Sequence, residues 1–186
     1  MIHSKSDLIL QFLMQKCKSQ DEIFIFGSAM GAYAAVYLAE MIEHIGLLSG
    51  TEEELVPIVW EVYMKWNKNR FPQNKRQKRI QQELLETIKG FRETVCRPAG
   101  RVKFLGLFDM ISRACKCPTH GACRHCPTPG TVQYIRHAVS VDEGRAELAP
   151  TLIRPTGDNQ ETMDVQQVWF PGSHGVSNQS RIRSMI

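Results

Sequence analysis

The sequence predicts an α/β fold with a mostly parallel sheet, because short apolar runs alternate with longer helical patterns. The three runs are Glu22–Phe26, Val102–Phe108 and Val165–Phe170, which are rich in β-branched and aromatic residues. The first run is short and continuous and stops at Gly27, which is typical of a buried parallel strand. Since parallel sheets place functional residues just past the carboxyl ends of their strands, we expect the functional residues of this chain directly after these runs.

Four helical patterns accompany the strands: Asp7–Cys17, a segment that begins at Gly31, Thr51–Trp66 and Lys75–Cys96. Their apolar residues recur every three or four positions, which places them on one face of a helix. Ser6 is a suitable N-cap for the first helix. The last two patterns, separated by the helix-breaking pair Phe71-Pro72, predict a helical insertion at residues 51–98.

Length and composition indicate one ordinary globular domain, residues 1–186, rather than a fibrous or disordered chain. Hydrophobic residues make up 42% of the chain and charged residues 23%. No segment approaches the roughly 20 apolar residues that span a bilayer. Met1–Ser6 also lacks the pattern of a signal peptide. We therefore expect a cytoplasmic or otherwise intracellular protein without a transmembrane segment.

Basic residues concentrate in one part of the predicted insertion. The formal net charge is +4, and seven basic residues fall close together: Lys65, Lys68, Arg70, Lys75, Arg76, Lys78 and Arg79. Such a stretch can bind an anionic surface, such as phospholipid or nucleic acid. A solvent-facing helix has the same pattern, and the stretch matches no known nucleic-acid module. Both interpretations remain open at this point.

A loop at residues 115–130 is rich in cysteine, proline and glycine. Cys115, Cys117, Cys123 and Cys126 could supply the four ligands of a tetrahedral zinc site. The first pair is separated by one residue, whereas zinc sites usually have roughly two to four between such ligands. Reduced thiols in a loop without metal are the alternative. No other cofactor is expected.

The first strand is followed by a degenerate form of the motif G-x-S-x-G, which carries the nucleophile of many hydrolases on a sharp turn between strand and helix, the nucleophile elbow. The glycines are Gly27 and Gly31, and we expect them to permit the strained turn. The apex, however, is Ala29, which has no nucleophilic atom. Ser28 precedes the apex and should point away from the catalytic base, so we consider it a weak substitute nucleophile.

An acid and a histidine follow the later strands in the order that a Ser, Asp, His triad requires. Asp109 ends the second strand, and His174 follows Pro171-Gly172 after the third. Asp109 would orient the imidazole of His174, which would take the proton of the nucleophile. The alternative for Asp109 is a capping role in its turn. His137 is better explained as a hydrogen-bonded structural histidine.

Four blocks of the sequence occur in the order that one known family shows. They are the elbow strand and helix (Asp21–Gly27, Gly31–Tyr33, Ala39–Ile42, Ile45–Leu48), the acid strand (Phe104–Asp109), the signature Arg136-His-Ala138 with Asp142-Glu143 and Arg145, and the histidine strand and loop (Val168–Gly172 with His174). In these blocks the chain resembles the α/β-hydrolase catalytic domain of type VI secretion phospholipase effectors (Tle1-like), shared by uncharacterised bacterial and fungal proteins.

The resemblance implies a partial α/β-hydrolase fold and acyl-ester hydrolysis through a serine acyl-enzyme, with an ester or phospholipid-like ligand. It also implies that Asp109 and His174 are the inherited triad residues. It brings no expected metal.

Three departures from the family pattern change the expected function. The family has phenylalanine, serine and arginine where this chain has Ser28, Ala29 and Met30. Its acidic, glycine-rich stretch after the histidine is replaced by Gly175–Asn178, and its first strands lie upstream of any segment present here. We therefore expect a truncated, catalytically inactive hydrolase domain with an exposed sheet edge through which two copies could pair. The alternative is a non-enzymatic protein that binds a partner through the basic insertion or the Cys-rich loop.

Overall fold

The computed structural model of the chain describes residues 2–49, 53–97, 99, 102–111, 129–130, 132–153 and 163–174, with side chains from residue 8 onward. These residues belong to two compact units. The helical unit takes its residues from Met1–Glu22 and Glu40–Arg101, and the sheet unit takes its residues from Ile23–Ala39 and Val102–Ile186.

Four helices and six strands form within the described residues. The helices are α1 (Ile2–Lys16), α2 (Met30–Ile45), α3 (Val56–Lys68) and α4 (Lys75–Thr94). The strands are β1 (Ile23–Ser28), β2 (Leu47–Leu48), β3 (Cys96–Arg97), β4 (Val102–Phe108), β5 (Tyr134–Ser140) and β6 (Asp164–Phe170). Two short 3₁₀ turns lie at Glu53–Leu55 and Ala146–Leu148.

The sheet unit contains a four-stranded sheet in the order β1-β4-β5-β6, and all three strand pairs are parallel. The predicted α/β fold with a mostly parallel sheet is therefore confirmed. The register aligns the carboxyl ends of the strands: Ser28 pairs with Phe108, Phe108 with Ala138, and Ala138 with Val168. The turns after β1, β4 and β6 consequently open at one edge of the sheet, where ligands bind in parallel α/β folds.

Strand β5 is the sheet element that the apolar pattern does not predict. Arg136 and His137 place two ionisable side chains in succession among its apolar residues, a feature that none of the three predicted runs contains. The fold accommodates both side chains with polar partners. Arg136 donates to the Asp164 carboxylate at 2.6 Å, and His137 lies beside Gln167, with 3.2 Å between His137 Nδ1 and Gln167 Oε1. Both polar side chains of β5 are therefore paired in the fold, although they make this strand difficult to recognise from its apolar pattern.

One face of the sheet carries the core, and the opposite face is open. Alternation along the strands buries Ile25, Leu105 and Ile135 on the core side. The open face presents large apolar side chains that are about half exposed or more: Phe24, Phe26, Phe108, Val168 and Phe170. No element among the described residues covers them. Strand β1 forms one edge of this sheet, and the pairing of two copies through that edge remains a prediction.

The helical unit packs around aromatic residues of α3. Trp60 and Tyr63 are almost fully buried, whereas the only buried residue of α4 is Ile88. Helix α4 begins with a side-chain cap, because Asn74 Oδ1 accepts from the Gln77 N–H at 2.9 Å. Strands β2 and β3 pair antiparallel in this unit.

A buried carboxylate lies among these helices. Glu40, on the last part of α2, is 1% exposed. It accepts hydrogen bonds from the Tyr63 hydroxyl at 2.6 Å and from Arg70 Nη2 at 2.5 Å. Arg70 also lies over the Trp66 ring, with its guanidinium carbon 5.1 Å from the ring centroid. Each oxygen of this buried charge therefore has a donor.

Candidate active site

The turn between β1 and α2 has Ala29 at its apex, in a strained backbone conformation. Its φ is 53°, in the left-handed region that costs a residue with a Cβ roughly 1–2 kcal/mol. Three main-chain hydrogen bonds hold it there, one of them from the Tyr33 N–H to the Ala29 carbonyl at 3.4 Å. The Ala29 N–H donates to the Phe108 carbonyl at 2.9 Å, and the Ala29 carbonyl accepts from the Ile111 N–H at 3.3 Å. The strained turn therefore forms without a serine at its apex.

The two glycines of this turn have a different role from the one expected from the motif, since neither has a positive φ. A Cβ at Gly27 would lie 2.5 Å from the Gly31 carbonyl oxygen and 2.6 Å from the Ala32 Cα. A Cβ at Gly31 would meet no atom within 4 Å. Gly27 thus permits the close approach of strand and helix, while the strain is located at Ala29.

Ser28 is the last residue of β1 and is exposed. Alternation along the strand places its side chain in the same row as Phe24 and Phe26, on the open face of the sheet. Its use as a substitute nucleophile remains a prediction.

Asp109 follows β4 and is completely buried, with a positive φ of 47°. One carboxylate oxygen accepts from the Ser140 N–H at 3.0 Å and from the Ser140 hydroxyl at 2.7 Å. Burial alone would raise the pKa of Asp109, but the hydrogen bonds from Ser140 and His174 outweigh burial and hold this pKa below its usual range. Asp109 is therefore ionised at neutral pH and can orient a histidine.

His174 meets the second oxygen of this carboxylate, since its Nδ1 lies 2.5 Å from Asp109 Oδ2. An ionised carboxylate can only accept, so Nδ1 carries the proton and donates it to Asp109. The other ring nitrogen, Nε2, is then the atom that can take a proton from a nucleophile or a water. The structure thus brings Asp109 and His174 together in the geometry of a triad acid and base.

His137 is hydrogen-bonded to the turn that follows β4 and carries Asp109. It is 1% exposed, and its Nε2 accepts from the Met110 N–H at 3.2 Å. Nδ1 must therefore carry the proton, which it donates to Gln167 Oε1. Burial lowers the pKa of His137, so the ring stays neutral at pH 7. Both ring nitrogens of His137 therefore have hydrogen-bond partners, and its structural role remains a prediction.

Two contributors to this site were not among the candidates from sequence, Ser140 and Gln167. Ser140 holds Asp109, and Gln167 supports His137 while also bonding both main-chain polar groups of Ile153. The only local signal for Ser140 is its place two residues after the Arg136-His-Ala138 signature. Its role depends on the pairing of β4 with β5, which no short motif contains.

Residues 8–178 match the family described as T6SS, phospholipase effector Tle1-like, catalytic domain. The chain belongs to this family. Membership in the Tle1-like catalytic domains confirms the resemblance expected from the sequence and the lipase-like hydrolase character of the domain.

One curated relative of this Tle1-like chain is the uncharacterized protein YEL023C of Saccharomyces cerevisiae, with 33% identity over 150 residues. The match covers 77% of this chain but 20% of the relative, so the chain spans about a fifth of the length of that protein. No solved structure matches the chain significantly.

Two further predictions concern a zinc site and membrane-spanning segments. The four cysteines proposed as zinc ligands, Cys115, Cys117, Cys123 and Cys126, lie outside the described residues, and zinc remains a prediction. Within the described ranges, no three His, Cys, Asp or Glu side chains are grouped so that they could hold a metal ion. In the same ranges, every helix is too short or too polar to cross a bilayer.

Proposed function

We propose that this chain is a lipase-like hydrolase domain that has kept its acid–base pair and lost its acyl-transfer step. The observation that carries the proposal is the strained elbow with alanine at its apex, on the same sheet edge as a hydrogen-bonded Asp109–His174 pair. The family makes an ester or phospholipid-like molecule the expected ligand. Such a domain would bind an ester without cleaving it, in the intracellular location expected from the sequence.

The chemistry explains why alanine abolishes the reaction. In a serine hydrolase, the hydroxyl oxygen bonds to the ester carbonyl carbon, and histidine takes the hydroxyl proton and later gives it to the departing alcohol. The methyl group of Ala29 has neither a lone pair nor an acidic proton. The covalent intermediate therefore cannot form at this position, although His174 and Asp109 can still be arranged for proton transfer.

A fluorophosphonate probe, which phosphonylates activated serines, tests the proposal. We expect no labelling of the wild-type protein, no change for Ser28→Ala, and labelling of Ala29→Ser. The labelling of Ala29→Ser should disappear when His174→Ala is added, because the hydroxyl then has no base. Two results would contradict the proposal: labelling of wild type that Ser28→Ala abolishes, or failure of the folded Ala29→Ser protein to label.

A second candidate function is supported by the exposed basic face of α4. Lys75, Arg76, Lys78 and Arg79 are exposed, and none of them pairs with a carboxylate among the described residues. The positive end of the helix dipole is at the same terminus, so this arrangement costs stability in the absence of an anion. We propose that this face binds anionic lipid surfaces.

Vesicle cosedimentation distinguishes this binding from a merely solvated helix. We expect retention by phosphatidylserine-containing vesicles, weak binding to phosphatidylcholine vesicles, and loss of retention as salt rises. A variant with glutamine at all four basic positions should lose up to about 1,000-fold in affinity, at roughly 1 kcal/mol per basic residue. Equal retention of wild type and this variant would contradict the proposal.

A further inference from the structure

The segment that follows β5 is bonded to the loop that carries His174. We call residues 141–145 the β5 extension and residues 171–174 the histidine loop. The Asp142 N–H donates to the Gly172 carbonyl at 3.0 Å, and the Gly172 N–H returns a hydrogen bond to Asp142 Oδ2 at 2.8 Å. The N–H of His174 itself donates to Glu143 Oε2 at 3.0 Å. Two carboxylates thus accept two main-chain amides of the histidine loop.

Gly172 is the residue that allows the histidine loop to turn, since its φ is 115°. Backbone in this region is available to glycine at little steric cost. The loop has no regular secondary structure before His174, so intrinsic preference alone does not fix its path. Contacts from neighbouring segments must therefore supply that restraint, and the β5 extension is such a neighbour.

The orientation of the Glu143 carboxylate is fixed by hydrogen bonds from Arg145. The carboxylate accepts from Arg145 Nε, Arg145 Nη2 and the Arg145 N–H, each at 2.8 Å. The side chain of Glu143 is 1% exposed, whereas that of Arg145 is 59% exposed. The hydrogen bonds from Arg145 lower the pKa of Glu143 to about 2, so this carboxylate is charged throughout the neutral range. An ionised acceptor of fixed orientation is a strong partner for the His174 amide.

The same stretch of chain also holds the acid. Ser140, the last residue of β5, gives Asp109 two hydrogen bonds, and two residues later Asp142 begins the bonds to the histidine loop. One short segment therefore restrains both members of the Asp109–His174 pair. At one end of this segment Ser140 bonds the Asp109 carboxylate, and at the other end Asp142 and Glu143 bond the backbone of the histidine loop.

We propose that Asp142 and Glu143 are positioning residues for His174, which hold the backbone of the histidine loop where the imidazole can meet Asp109. Arg145 fixes the orientation of Glu143. This assignment gives a physical role to the part of the family signature that the triad does not use. It rests on the proposed function of His174 as the base, but the contacts that carry it are independent of catalysis.

The first test reads the Asp109–His174 hydrogen bond directly by proton and nitrogen NMR of the imidazole. In wild type we expect a low-field Nδ1 proton and an Nδ1-protonated ring for His174. Glu143→Ala and Arg145→Ala should broaden or abolish the low-field signal. Asp142→Asn, which keeps an acceptor for the Gly172 amide, should retain it, whereas Asp142→Ala should weaken it. Glu147→Ala is the matched control, because it removes an exposed acidic residue of the neighbouring turn.

The second test uses the Ala29→Ser protein as an esterase. Addition of Glu143→Ala should lower kcat about 100-fold, the effect of misplacing a catalytic group by about 1 Å, while KM changes less than about threefold. Glu147→Ala should change neither quantity.

The proposal is overturned if the low-field His174 signal is absent in wild type, or if it survives unchanged in both Glu143→Ala and Arg145→Ala. Because Arg145 is largely exposed, its removal keeps the test open even if Glu143→Ala does not fold. An inactive Ala29→Ser protein would count against the proposed function, whereas the NMR comparison would still decide whether Asp142 and Glu143 position His174.

Discussion

Arg70→Met should destabilise the helical unit by about 3–5 kcal/mol, the usual cost of leaving one member of a buried ion pair without its partner. Glu40 is 1% exposed and Arg70 is 25% exposed in their side chains, so little water can replace the lost guanidinium. The Tyr63 hydroxyl would remain as a donor to Oε2, whereas Oε1 would keep only His44, whose Nε2 lies 3.9 Å away and whose pKa is lowered by burial. The loss of the Arg70 contact with the Trp66 ring adds to the effect.

A double-mutant cycle separates the charge from the packing. Glu40→Gln in the Arg70→Met protein removes the uncompensated negative charge and should recover at least half of the lost stability. Urea unfolding followed by tryptophan fluorescence is a suitable measurement, since Trp60 and Trp66 are buried in this unit and Trp169 of β6 is half exposed. A loss below about 1 kcal/mol for Arg70→Met would show that the pair is not buried as described.

Gly27→Ala should be the most damaging small substitution in the elbow, and Gly31→Ala is its natural control. The new Cβ at residue 27 would lie 2.5–2.7 Å from main-chain atoms of Gly31 and Ala32. Main chain cannot rotate away as a side chain can, so the strand and helix must separate. We expect a loss of about 3 kcal/mol or more, at or beyond the upper end of the usual range for overpacking.

Gly31→Ala adds the same methyl group to the same motif where no atom lies within 4 Å. Because residue 31 is within α2, alanine should be neutral or should stabilise the protein by up to about 1 kcal/mol. Chemical denaturation of the two variants measures the contrast. In the Ala29→Ser background, Gly27→Ala should also abolish fluorophosphonate labelling, whereas Gly31→Ala should preserve it. Equal stabilities would refute the close approach at Gly27.

The sequence predicts the site residues that directly follow a recognisable strand pattern, and it does not predict those that join the site through strand pairing. Asp109 and His174 could be chosen because each follows an apolar strand, and the parallel sheet brings such positions to one edge. Ser140 could not be chosen, because it reaches Asp109 only through the parallel pairing of β4 with β5. Register between strands distant in sequence is not encoded in any short motif.

The glycines of the elbow show a second limit of motif analysis. Both match the pattern, yet only Gly27 is needed for a close contact, and the unusual φ belongs to Ala29. A motif reports which residue types occur at a turn. It does not distinguish close packing from dihedral strain, because both physical causes favour glycine. Three-dimensional contacts are required to assign each cause to a position.

The positive φ of Ala29 shows that the shape of the elbow is determined by the rest of the domain rather than by the residue that would perform the chemistry. Hydrogen bonds with the Phe108 carbonyl and the Ile111 N–H hold Ala29 in this conformation, although the alanine methyl group has no polar atom that the turn could present. Alanine and serine differ at this point by one oxygen atom, and no backbone rearrangement separates them. The backbone of this turn therefore does not depend on a hydroxyl at its apex, and the architecture of the sheet edge is maintained by main-chain contacts alone.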